Sequence, residues 1–267
     1  MNQKSWALFC GKLAPSAAAI ASLFMVISVL LSFEKGTNYF EYGAVLPILS
    51  TIWAMIAFIA AVIFAIIIPK EEIEAKSPFG TNLLFALPAA LGFGVGAIFM
   101  VIEFAKSQKT LFLIATLFLL ISAAHVLLCE TDRVKTFLGF APPIACALLV
   151  AVLYFDTSLE MNAPLKVAAQ CALLPLMLYF TAELRYLLGR EIPRLYLALA
   201  LISIVLSSLC VLAIPVACLN GALENTNCLA TALVLFGTNL TILLKLKRYL
   251  KPTPAPDEND TKETDAQ

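Results

Sequence analysis

A carboxylate, an imidazole and several phenols written inside apolar runs are the residues whose chemistry stands out in this chain. Glu183 lies in QCALLPLMLYFTAELRYLLGREIPR (170–194), and His125, the single histidine, lies in LLISAAHVLLC (119–129). Tyr179, Glu183 and Tyr186 share one face at helical spacing, and Ser122, His125 and Cys129 share another. At ~1.5 Å per residue, Glu183 and His125 each sit ~6–8 Å inside the end of their apolar run. A carboxylate and an imidazole at one depth could meet across two helices and hand on a proton. Ionisable groups in hydrocarbon face the bundle interior and find partners, because exposure to lipid costs about 3 kcal/mol or more. The sequence therefore nominates Glu183, His125, Tyr179 and Arg185 as a ligand site or proton relay.

Each nomination has a plainer reading. Glu183 and Arg185 could mark the membrane boundary, with Arg190, Glu191 and Arg194 among the headgroups. His125 could be a hydrogen-bonded interior residue. His125 and Cys129 make half a metal site at best, so no metal and no cofactor is expected.

The last apolar run carries Thr231, Thr238, Thr241 and Lys245 on one ~80° face. This stripe could line a polar path, although threonines also bond their own helix backbone. Pro88 and Pro175 are the expected helix breaks, because a proline frees a backbone carbonyl that must be satisfied inside the bundle. Broken helices line midplane sites in transporters.

The elements that position these groups follow from composition. Of 267 residues, 61% are hydrophobic and 13% charged, about half the charge of a soluble domain. Apolar runs of ~20 residues, each long enough to cross a ~30 Å hydrocarbon core, recur throughout. The fold class is all-α, a polytopic membrane bundle of about eight helices near 14–33, 43–68, 82–104, 111–129, 137–155, 165–184, 195–217 and 227–246. A leader, 1–13, precedes the bundle of 14–249. The Pro- and acid-rich tail 250–267 is expected to be disordered. The 14–33 run is read as an uncleaved first helix rather than a signal peptide.

Charge placement sets the threading. With the N-terminus inside, 14 of the 18 basic residues fall in inner segments and only Lys35, Lys106, Lys109 and Lys166 in outer loops. Both termini are then cytoplasmic, in a cell membrane of bacterial cytoplasmic type. Glu103 and Asp156 fall at outer ends as interfacial residues, and Cys218 and Cys228 could bridge across the last hairpin.

Small residues mark packing seams: Ala86, Ala90 and Gly94, then Gly92 and Gly96; Ala57, Ala61 and Ala65; Ala14, Ala18 and Ser22. The short loops leave no room for a soluble domain. No phosphate-binding loop, zincin motif or nucleophile elbow is present, and neutral net charge argues against nucleic acid. The sequence leans against an enzyme. It favours a transporter, permease or ligand-binding component that takes a small apolar or amphipathic molecule within the bundle. The alternative is a non-catalytic sensor or assembly subunit that docks a membrane protein partner through its cytoplasmic face.

Overall fold

The computed structural model describes residues 3–68, 83–127, 136–190 and 192–246. The expected tail 250–267 lies outside the described residues. The chain is an all-α multi-pass membrane protein. Its helices are α1 (Gln3–Ser32), α2 (Val45–Ile67), α3 (Leu83–Ser107), α4 (Thr110–Leu127), α5 (Ala141–Phe155), α6 (Pro164–Leu187), α7 (Pro193–Ser207), α8 (Ala213–Leu219) and α9 (Thr226–Leu246). Among the described residues, seven helices are long and apolar enough to cross a bilayer. Helices are the outcome that hydrocarbon permits, since every backbone polar group must be satisfied within its own segment. The first helix, α1, begins at Gln3, within the segment 1–13.

Two corrections concern the helix breaks. Both α3 and α6 run continuously through Pro88 and Pro175. The segment expected as one helix over 195–217 is instead two helices parted at 208–212. Pro215 supplies the reason, because its ring collides with the carbonyl four residues back, at Val211, and it has no N–H to offer. It is accommodated in the first turn of α8, and the helix upstream must end first. Serines close that end. Ser207 Oγ donates to the Ser203 and Ile204 carbonyls, and Ser208 Oγ to the Val205 carbonyl, local bonds that compete with the helical ladder.

The two pieces in series still traverse the bundle. Tyr196, in the first turn of α7, bonds Tyr179 near the α6 C-terminus. Asn225, just past α8, bonds Asp156, which lies beside the α6 N-terminus. The α1–α2 loop joins the Asp156 end through Tyr39, whose hydroxyl bonds Glu160 and Asn162. Arg194 Nε donates to the Ile68 carbonyl (3.1 Å), tying α2 to the opposite, Glu183 end.

Packing follows the small residues. Ala14, Ala17, Ala18 and Ala21 of α1 are buried against Ala54, Ala57, Ala60 and Ala61 of α2, and Ser50 Oγ crosses to the Ala21 carbonyl (2.8 Å). On α3 the working face is Gly92 and Gly96, while a Cβ at Gly94 would meet nothing within 4 Å. Gly92 lies against Gly237 of α9, and Ala89 N–H, in the turn that holds Pro88, donates to Thr241 Oγ1 (3.0 Å). α9 is the central helix, touching α3, α5, α6, α7 and α8.

Candidate functional site

At the Glu183 end, α6 presents Tyr179, Glu183 and Tyr186 inward, all buried, with Glu183 only 1% exposed. α7 answers with Tyr196, which the sequence reading did not single out. The Tyr179 and Tyr196 hydroxyls share a 2.6 Å hydrogen bond, and their rings lie 4.9 Å apart. Tyr186 closes on Tyr196 edge-on at 4.8 Å. The result is a buried carboxyl one helical turn from a pair of linked phenols. Arg185, on the opposite face of α6, is exposed.

His125 is equally buried, in the last turn of α4. α4 makes its extensive contacts with α3 and α5. Among the described residues no three of His, Cys, Asp and Glu converge.

The threonine stripe of α9 is buried and its hydroxyls are engaged. Thr231 Oγ1 donates to the Asn227 carbonyl, Thr238 Oγ1 to those of Val234 and Leu235, and Thr241 receives the Ala89 N–H. The Lys245 side chain lies outside what the structure describes. Cys218 and Cys228 are free thiols, and Cys228 is wholly buried.

What the sequence reading missed lies at the break between α7 and α8. A cavity of about 430 Å³ opens along the side of the bundle there, within the ~300–1,000 Å³ range of small-molecule sites. One wall is α1 (Pro15 to Val26), another is the Ile204–Leu212 stretch, and the third is α9 with Phe236, Asn239 and Leu243. A second hollow, about 330 Å³, lies between α9 and α3 and shares Phe236 and Leu240. The lining is apolar except for Ser22, Ser207, Ser208 and Asn239. Asn239 is buried; its Oδ1 accepts from Ser203 Oγ (3.0 Å) and its Nδ2 donates to the Leu235 carbonyl (2.7 Å). One signal was legible: a lone amide in the apolar run LVLFGTNLTILL, beside a segment holding Ser207, Ser208 and Pro215.

The opposite end is held by Asp156. Its Oδ1 accepts from the backbone N–H and the hydroxyl of Ser158, and its Oδ2 from Asn225 Nδ2 and Asn227 Nδ2, each at 2.7–2.9 Å. Burial works against the carboxylate, but the bonds from Asn227, Asn225 and Ser158 outweigh it and hold the group below its ordinary value. Lys166, 1% exposed, donates to the Asp156 and Leu159 carbonyls (2.7 and 3.1 Å). Loop α5–α6 and the starts of α6 and α9 are thereby pinned together.

The fold and these sites define a helical, multi-pass membrane protein. No family model, no curated protein and no solved structure matches the chain.

Proposed function

We propose that this protein takes a small apolar or amphipathic molecule from the bilayer into the groove between α1, the α7–α8 break and α9. The observation that carries the reading is that groove: a cavity of about 430 Å³ open to the side, built where a helix is interrupted inside the bundle. Irregular backbone at membrane depth is tolerated where it is buried in protein or lines a cavity. We read α7 and α8 as one broken crossing, which makes eight, with both termini cytoplasmic as charge placement favours. Glu183, with Tyr179 and Tyr196, is the group that would couple occupancy to protonation, and His125 and Arg185 are the further candidates.

Native mass spectrometry of gently extracted protein tests the reading. The wild type should carry a small-molecule adduct. Ala19→Trp, at an exposed groove position away from the core, should lose it. A bare wild type, or equal adduct in both proteins, would overturn the proposal, and a stoichiometric protein partner in its place would speak for an assembly subunit.

A further inference from the structure

The floor of the groove carries a polar group whose hydrogen bonding is unmet. Ser22 Oγ is buried, at 7% residue exposure, and has no hydrogen-bond partner among the described residues. It lines the cavity. Its neighbours there are engaged but not saturated. The Ser207 hydroxyl donates to backbone carbonyls and keeps acceptor capacity, while Asn239 commits one of its two N–H groups to the Leu235 carbonyl. A buried hydroxyl left unpaired costs free energy that a correctly placed oxygen on a ligand would recover.

Depth narrows the ligand. Ser22 falls within two residues of the middle of its span, Phe9–Ser32, which is ~3 Å from the midpoint of the crossing. A phospholipid standing in its leaflet places only methylene groups at that level, its charged head remaining at the surface. A charged group brought to that depth would need a counter-charge, and no charged side chain is present among the described residues lining the groove. A plain hydrocarbon would leave Ser22 unsatisfied.

Building on the groove reading, we infer that the groove selects a neutral, mostly hydrocarbon molecule bearing one hydroxyl or carbonyl oxygen, held near mid-bilayer by Ser22. The Ser22 hydroxyl can donate to a carbonyl or exchange donor and acceptor roles with a hydroxyl.

Three photoactivatable diazirine probes with a common long chain test this on the full-length protein in phosphatidylcholine nanodiscs: an alcohol, the matching alkane and the matching alkyl phosphate. The alcohol should label α1, α7–α8 and α9 peptides in preference to the other two. Ser22→Ala should lower that labelling about fivefold, the worth of one buried neutral hydrogen bond. Ser22→Thr, which keeps a hydroxyl, should hold it near wild type. Equal labelling by alcohol and alkane, insensitive to Ser22→Ala, overturns the oxygen requirement but leaves an apolar groove standing. Strongest labelling by the phosphate overturns the neutral-ligand inference in the same way. Uniform labelling of all lipid-facing helices, unchanged by Ala19→Trp, removes both the inference and the groove reading beneath it.

Discussion

Gly92→Ala should loosen the crossing of α3 and α9, and the structure gives the size of the effect. A Cβ at Gly92 would stand 2.9 Å from the Leu233 carbonyl oxygen, 3.2 Å from Gly237 Cα and 3.4 Å from the Val234 carbonyl oxygen. The first is about half an ångström short of the 3.4 Å where ordinary contact begins. All three atoms are backbone, so no rotamer change relieves the clash and the helices must separate. A gap of ~0.5–1 Å forfeits roughly a quarter to a half of each dispersion contact along the seam. Overpacking of this kind costs about 1–3 kcal/mol. Separation also stretches the 3.0 Å bond from Ala89 N–H to Thr241, and interhelical bonds in membranes average about 0.6 kcal/mol. The buried thiols Cys146, Cys210 and Cys228 provide the assay: thermal unfolding in mild detergent, followed by their reaction with a fluorogenic maleimide. Gly92→Ala should melt several degrees early, at about 2–4 °C per kcal/mol. Gly237→Ala should be worse, because its Cβ would collide with the Pro88 carbonyl oxygen. Gly94→Ala, with open space around its Cβ, is the control and should melt like wild type. Equal melting of all three variants would refute the close crossing.

Further outcomes follow from the two polar ends. The Asp156 carboxyl is held below its ordinary 3.8, so its contribution is present above that pH and fades as pH falls through the lower folded-state value. Asp156→Asn should cost about 1 kcal/mol at neutral pH and flatten stability below pH ~4, read by the same thiol assay; unchanged acid sensitivity would refute it. Glu183→Gln should insert and fold normally yet abolish any pH dependence of adduct binding, and a wild-type pH profile in that variant would sink the proton-coupling role. In a cysteine-free background, Thr37→Cys should react with an impermeant maleimide on intact cells while Arg190→Cys should not; the reverse pattern would invert the threading.

The fold class was written in the sequence because bilayer thickness is a one-dimensional constraint, met by a run of ~20 apolar residues whatever its neighbours do. The small-residue seams were legible for the same reason: close approach needs Gly or Ala at helical spacing, as at Ala57, Ala61 and Gly92. Which of two candidate faces is used was not legible. Gly92 is chosen over Gly94 only because Gly237, far along the chain, meets it. The helix break illustrates the boundary between local and global information. Pro215 dictates that something must yield near Val211, a local steric fact that the sequence states. Pro88 and Pro175 impose the same local demand, yet α3 and α6 continue through them, so tertiary packing decides where a helix parts. The groove belongs wholly to that second kind. Ser22 and Asn239 come from opposite ends of the chain, and whether a hydroxyl is satisfied depends on what three other helices leave beside it.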